Sequence, residues 1–265
     1  MEHLRSDDAE IFYEIRGSGP PVVLLHPFPC DHEFWNPVAV ALESRYRLIL
    51  PDLRGHGDSA IGEGPALMAK HATDVTRVLD AADVGRAAFV GCSIGGYTLF
   101  EFWRRFRDRV TALALCDTRP QPDTAEARSN RLQAAATVLE QGTELFLEAM
   151  IPKLMGRTTV ATRPDVVAGA LVMMRKMSAE DISQVQRGMA DRPDSVPDLK
   201  TINVPTLIVI GEEDTFSTPA DGEFMRQNIA GSHLKVIPKA GHYAPWEQPE
   251  LVGKILRQFL DGVLT

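Results

Sequence analysis

The residue whose sequence context most clearly indicates a chemical role is a serine between two glycines. Residues 91–95 read Gly-Cys-Ser-Ile-Gly, which matches the pattern G-x-S-x-G around Ser93. A short apolar run precedes the pattern, and a stretch with apolar residues three and four apart follows it. A strand, a tight turn and a helix in this order form a nucleophile elbow, in which a strained backbone presents the hydroxyl. We therefore predict that Ser93 is a nucleophile.

A serine hydroxyl is a weak nucleophile at neutral pH, so it needs a base and an acid that orients the base. In α/β sheets such groups come from loops at the carboxyl ends of strands. His242 lies in the loop after the last predicted strand, and Asp214 follows the predicted strand before it. Glu212 and Glu213 are the rivals of Asp214 for the orienting acid. The predicted catalytic residues are Ser93, Asp214 and His242.

An oxyanion hole needs two N–H donors near the nucleophile. Ile94 follows the nucleophile at the start of the predicted helix, so its backbone N–H is one candidate. The other should come from the loop His26-Pro27-Phe28-Pro29, in which the two prolines have no N–H. We therefore predict Phe28 as the second donor. We expect His26 to brace this loop and His56, in a glycine-flanked loop, to make a structural hydrogen bond.

Composition narrows the class of protein. The 265 residues are 44% hydrophobic and 24% charged, which is typical of a globular, soluble chain with one large domain or one domain with an insertion. There are 28 Lys and Arg against 36 Asp and Glu, so we expect no nucleic-acid partner. No apolar run approaches the roughly 18 residues of a membrane helix, and the polar start predicts no signal peptide. We expect a cytoplasmic protein without a membrane partner.

Strands and helices alternate along most of the chain, which predicts an α/β fold with a mostly parallel central sheet and helices on both faces. The alternation stops at residues 119–200, where only helical segments are found. Their predicted positions are residues 124–141, 143–155, 165–177 and 179–191. We therefore predict a core formed by residues 1–118 and 201–265, with residues 119–200 inserted as a helical cap.

These motifs resemble the α/β-hydrolase superfamily, within the compact, capped group of carboxylesterases, enol-lactonases and cofactor-free haloperoxidases. The order Ser93, Asp214, His242 along the chain is that of the family. The resemblance also covers the loops at residues 26–29 and 51–59, although Pro27 stands where the family usually has glycine. It extends over nearly all of the predicted core.

The resemblance implies a serine hydrolase that forms an acyl-enzyme. His242 would take the proton of Ser93, which attacks an ester or lactone carbonyl, and water would then release the acyl group. This chemistry needs no metal and no organic cofactor, and the three cysteines form no C-x-x-C metal pattern. We expect a small, mostly apolar ester or lactone as substrate. Candidate pocket residues are Trp35, Tyr97, Phe146, Met150 and Trp246.

Other functions stay open at this point. The same fold could serve a carbon–carbon bond hydrolase or a perhydrolase of the haloperoxidase type. A non-catalytic ligand receptor or signalling protein could retain the same three residues, and a structural or interaction protein could retain the fold. The sequence leaves substrate identity and oligomeric state open, with a homo-oligomer as one alternative.

Overall fold

The computed structural model describes residues 2–264, so Met1 and Thr265, at the two ends of the predicted core, lie outside the described residues. An eight-stranded sheet forms its centre. The strands are β1 (Glu2–Ser6), β2 (Ala9–Arg16), β3 (Pro21–Leu25), β4 (Arg47–Pro51), β5 (Ala87–Cys92), β6 (Val110–Cys116), β7 (Thr206–Gly211) and β8 (His233–Ile237). Their order across the sheet is β1-β2-β4-β3-β5-β6-β7-β8.

Most of the sheet is parallel, as the sequence pattern predicts. Only β2 pairs antiparallel with its neighbours β1 and β4; every other pair of neighbours is parallel. Every residue of β5 and β7 is buried, because helices cover both faces of the sheet. The central strands therefore read as continuous apolar runs rather than as alternating patterns.

Eleven α-helices are found in residues 2–264. They are α1 (Asn36–Ala39), α2 (Met68–Ala81), α3 (Ile94–Phe106), α4 (Ala125–Gln141), α5 (Glu144–Leu154), α6 (Arg157–Thr162), α7 (Pro164–Met174), α8 (Ala179–Ala190), α9 (Pro219–Asn228), α10 (Ala244–Glu247) and α11 (Pro249–Val263). Short 3-10 helices span His32–Trp35, Arg107–Arg109 and Leu199–Thr201. Every helix of this part of the chain is too short or too polar to cross a membrane.

Five of these helices, α4 to α8, lie between β6 and β7, and we call residues 125–190 the helical segment. The lack of strands predicted for this stretch is confirmed for the described chain, and α4 packs against α8. Ser178 and Asp181 form the capping box at the start of α8. The division into a core and a cap domain stays a prediction.

Three local predictions differ from the structure. The sequence pattern assigns no element to residues 2–6, but they form β1, an edge strand whose polar side chains are mostly exposed. It predicts a helix at about residues 33–43, where the structure has a short 3-10 helix followed by α1. It predicts one amphipathic closing helix at residues 247–260, but α10 and α11 are separate because Pro249 lacks an N–H and disfavours helical backbone at the preceding Gln248 (φ −130°).

A buried arginine holds the loop after β4 in place. Arg54 is fully buried, and its Nε and Nη2 each donate to the Asp74 carboxylate of α2 at 2.8 Å. Its Nη1 donates to Asp8 at 2.9 Å, and the Ser6 hydroxyl donates to Asp74 at 2.6 Å. This network fixes the loop at residues 52–59, which follows the carboxyl end of β4.

Replacing Arg54 should therefore destabilise the whole fold. In Arg54→Met the Asp74 carboxylate stays buried without its cation, so we expect the free energy of unfolding in urea to fall by about 3–5 kcal/mol. The control is Arg128→Met, which removes an exposed pair with Asp191 and should cost less than about 1 kcal/mol. Equal losses in the two variants would contradict this account of the network.

Candidate active site

Ser93 lies at the junction of β5 and α3 with a left-handed backbone, φ +54° and ψ −114°. Such a conformation costs a residue with a side chain about 1–3 kcal/mol and persists only where its surroundings enforce it. Two hydrogen bonds do so here. The Ser93 N–H donates to the Cys116 carbonyl at 3.0 Å, and the Thr118 hydroxyl donates to the Ser93 carbonyl at 2.9 Å.

The two glycines around Ser93 permit close packing of α3 against the sheet. A Cβ atom on Gly91 would lie 2.7 Å from backbone atoms of Gly95. A Cβ atom on Gly95 would collide with the Leu25 carbonyl oxygen of β3. Larger residues would therefore push the helix away from β3 and β5, and the hydroxyl would move with it.

The structure brings the three predicted catalytic side chains together. His242 Nε2 lies 2.8 Å from Ser93 Oγ, and His242 Nδ1 lies 2.8 Å from Asp214 Oδ2. The other Asp214 oxygen accepts the N–H groups of Phe216 (2.8 Å) and Ser217 (3.0 Å). With Nδ1–H donating to the carboxylate, the Nε2 lone pair faces the serine proton. This geometry suits general-base activation of a hydroxyl.

The rival carboxylates are engaged elsewhere. Glu213 accepts the backbone N–H of Thr158 at 2.8 Å and its hydroxyl at 2.5 Å, which joins the end of β7 to α6. Glu212 is exposed and accepts the Lys239 N–H at 3.3 Å. Among residues 2–264, Asp214 is the carboxylate hydrogen-bonded to His242. The structure therefore favours Asp214 over both glutamates.

Asp117 is a positioning residue that the sequence did not identify. It follows β6 directly, and its two oxygens accept the N–H groups of Gly211 (2.8 Å) and Ala244 (3.1 Å). Burial, together with the nearby Asp214 carboxylate, raises the pKa of Asp117 well above its usual range. The side chain thus ties the end of β7 to the loop that carries His242. The sequence feature that could have identified Asp117 is its position directly after the apolar run of β6.

Two further histidines hold loops, as expected. The Leu53 N–H donates to His26 Nε2 at 2.9 Å, so the proton sits on Nδ1, which donates to the Pro27 carbonyl at 3.0 Å. His56 Nδ1 lies 3.1 Å from the Arg54 carbonyl. Burial lowers the pKa of His26 and lowers that of His56 to about 3. Both imidazoles are therefore neutral braces of the loops around the site.

The two predicted oxyanion donors also lie at this end of the sheet. Ile94 is the first residue of α3, so its N–H has no partner within the helix. Phe28 lines the cavity beside Ser93, and its carbonyl accepts the Tyr243 hydroxyl at 2.9 Å. That bond fixes the loop after β3 against the loop that carries His242.

A cavity of about 370 Å³ opens onto Ser93 and His242. Tyr97, Phe146 and Met150 line it, and their contact with substrate stays a prediction. Apolar and charged side chains share the wall. The further lining residues, which the sequence did not single out, are Arg119, Asp123, Ala127, Asn130, Arg131, Ala134, Ala149, Lys153, Leu154, Gln186, Met189 and Phe216.

The placement of two tryptophans in the pocket wall is corrected. Trp35 is fully buried in the core, where its ring packs edge-on against Phe34 with centroids 5.2 Å apart. Trp246 packs between Phe34 and the helical segment, and its Nε1 donates to the Val166 carbonyl at 3.1 Å. A tryptophan packed in the core and a tryptophan in a pocket wall have the same apolar sequence pattern, so the sequence could not distinguish these two positions.

One group of metal-type ligands occurs in the described chain, formed by Asp31, His32 and Asp52. Asp52 Oδ1 already accepts the His32 N–H and faces His32 Nδ1, both at 2.7 Å. Lys176 Nζ donates to Asp31 at 2.8 Å. These cationic and N–H partners occupy the oxygen atoms that a metal would need, and we assign the group a structural role.

Comparison with known proteins identifies the fold family. Residues 20–249 match the family model described as alpha/beta hydrolase fold. The 3-oxoadipate enol-lactonase 1 of Acinetobacter baylyi is 29% identical over 255 residues, which cover 93% of this chain and 90% of that protein.

Two solved structures are similar over almost the whole chain. The thermophilic esterase of Thermogutta terrifontis, with malate bound, is 38% identical with a TM-score of 0.94, covering 97% of this chain and 95% of the esterase. The enol-lactonase of Burkholderia xenovorans is 27% identical with a TM-score of 0.91, covering 98% and 100%. Because the family match spans most of the chain and the observed sheet agrees with it, this chain is a hydrolase that belongs to the α/β-hydrolase fold family.

Proposed function

We propose that this hydrolase cleaves a carboxylic ester or a lactone through an acyl-enzyme on Ser93. The observation that carries the proposal is the continuous series of contacts from Ser93 Oγ through His242 to Asp214, at a cavity. The similarity to an esterase and to enol-lactonases supports the same class of reaction.

The first half-reaction forms the acyl-enzyme. His242 Nε2 takes the proton of Ser93 as Oγ attacks the carbonyl carbon, and Asp214 stabilises the imidazolium that results. The N–H groups of Ile94 and Phe28 donate to the oxyanion, and the positive end of the α3 dipole faces the same point. These donors are fixed before the substrate arrives, so little reorganisation is needed. The His242 imidazolium completes this first half-reaction by giving its proton to the leaving alcohol as the carbon–oxygen bond breaks, which leaves the acyl group on Ser93 Oγ.

The second half-reaction restores the enzyme. A water molecule attacks the acyl group while His242 accepts its proton, and the imidazolium returns a proton to Ser93 Oγ as the bond between Oγ and the acyl carbon breaks and the acid is released. With a lactone, the alcohol stays attached to the acyl chain. The cavity of about 370 Å³ suits a small substrate, and Tyr97, Phe146 and Met150 supply apolar contacts.

Loss of the nucleophile should abolish turnover without unfolding the protein. In Ser93→Ala we expect kcat on p-nitrophenyl esters, acetate to octanoate, and on a lactone panel to fall by about 10⁴ or more. The matched control is Ser232→Ala, a half-exposed serine near β8, which should keep wild-type activity.

Comparable rates in Ser93→Ala and wild type would overturn the role of Ser93. An absence of turnover from folded wild-type protein would instead point to carbon–carbon bond hydrolysis, peroxide-dependent chemistry or ligand reception.

Loss of the orienting acid should impair turnover almost as strongly. Asp214→Asn removes the acceptor that selects the His242 tautomer, so we expect kcat to fall by about 10⁴. The control is Glu212→Gln, whose exposed carboxylate contacts the loop after β8. Steady-state kinetics on the preferred ester checks both variants. A loss below about 10-fold in Asp214→Asn would assign the orienting role to another carboxylate.

A further inference from the structure

The cavity beside Ser93 carries an excess of positive charge in a chain whose net charge is −8. Its lining contains Arg119, Arg131 and Lys153 but a single carboxylate, that of Asp123. Three cationic side chains against one carboxylate leave two positive charges uncompensated among these four groups. Low-dielectric walls concentrate such a field inside a cleft, so the cavity attracts anions although the protein as a whole repels them.

The positive charge is concentrated where arginines surround Asp123. Arg131 Nε lies 2.7 Å from one Asp123 oxygen, and Arg192 Nη1 lies 2.7 Å from the other. Burial alone would raise the pKa of Asp123, but Arg131 and Arg192 hold it below its usual range. Asp123 therefore stays ionised, yet one carboxylate cannot neutralise these two guanidinium groups and that of Arg119 as well.

Arg119 and Arg131 keep donors for a further anion. Among residues 2–264 no hydrogen bond engages the Arg119 guanidinium, and its Nε is shielded from water without a partner. The nearest Asp123 oxygen is 3.8 Å from Arg119 Nη2, beyond hydrogen-bond range. Arg131 donates to Asp123 from Nε and to Gln186 from Nη1 (2.9 Å), and these bonds leave Nη2 available.

We propose that the substrate is an ester or lactone that bears a carboxylate, and that Arg119 and Arg131 bind this group. The inference rests on the proposed ester or lactone hydrolysis and names the class of its substrate. A planar guanidinium matches the two oxygens of a carboxylate, and Arg131 already binds the Asp123 carboxylate beside the cavity. Lys153, exposed on α5, adds positive charge at the rim. The sequence by itself suggests a mostly apolar substrate. The proposed carboxylate site predicts an amphipathic one instead.

Pairs of substrates that differ only in charge test the proposal. One pair carries the group on the alcohol side, 4-acetoxybenzoate and 4-acetoxybenzamide. The other carries it on the acyl side, the 4-nitrophenyl half-ester of adipic acid and the corresponding adipamide. We divide kcat/KM for each ester by its own rate of alkaline hydrolysis, and take the ratio of carboxylate to amide. In at least one pair this ratio should exceed about 10 in wild-type protein, as expected for a charged hydrogen bond.

Arginine variants link the preference to the proposed residues. Arg119→Gln should lower the carboxylate-to-amide ratio by about 10- to 100-fold, whereas Arg119→Lys keeps the charge and should lower it much less. Arg128→Gln lies on the same helix as Arg131 but pairs with Asp191 at the surface, and it should leave the ratio unchanged. If Arg119→Gln does not fold, Lys153→Gln and a salt titration of the wild-type ratio replace it, because both weaken the same field.

The outcomes separate this inference from the proposed function. Hydrolysis of both members of each pair at equal normalised rates would overturn the carboxylate site and leave ester hydrolysis intact. An unchanged ratio in Arg119→Gln, or in Lys153→Gln together with no effect of salt, would do the same. No hydrolysis of either member by folded protein would overturn both proposals.

Discussion

The left-handed turn at Ser93 is the constraint on which the rest of the site depends. A residue with a side chain adopts φ +54° only where its neighbours enforce it, and here the loop after β6 supplies the Thr118 hydroxyl and the Cys116 carbonyl. Gly91 and Gly95 let α3 begin in contact with β3 and β5. This strained turn therefore brings the Ser93 hydroxyl, the Ile94 N–H and the positive end of the α3 dipole close together.

Buried polar groups at the carboxyl end of the sheet hold the surrounding loops against this point. Asp117 joins the end of β7 to the loop that follows His242, and His26 joins the loops after β3 and β4. Each of these groups is buried, and each bonds the backbone of a neighbouring loop. Because parallel strands end at the same edge, loops distant in sequence meet there. Such fixed networks favour a site that is organised before substrate binds.

The core and the helical segment contribute different properties to the cavity. The ends of the core strands carry the proposed reacting groups, which need fixed distances and therefore rigid strand ends. The helical segment supplies Arg131 from α4, Lys153 from α5 and Gln186 from α8, whereas Arg119 comes from the connection after β6. The excess of positive charge in the proposed carboxylate site thus depends on the helical segment and on the connection after β6.

What the sequence by itself determined is local. Apolar runs, glycines and the G-x-S-x-G pattern predicted the central strands, the turn at Ser93 and the order of acid and base, because each depends on neighbours within a few residues. The edge strand β1 and the oligomeric state do not follow from such patterns. Even within the acid loop, three carboxylates stood within three positions of one another.

Only the tertiary structure decided which side chains share a wall. It brought Asp214 within hydrogen-bond distance of His242 and directed Glu212 and Glu213 to other partners. It placed Trp35 in the core and Trp246 partly buried against the helical segment, and it brought arginines from separate elements around Asp123. The physical reason is that burial and charge pairing depend on long-range packing, and an aromatic or arginine side chain has the same local pattern whether it faces a core, a cavity or solvent.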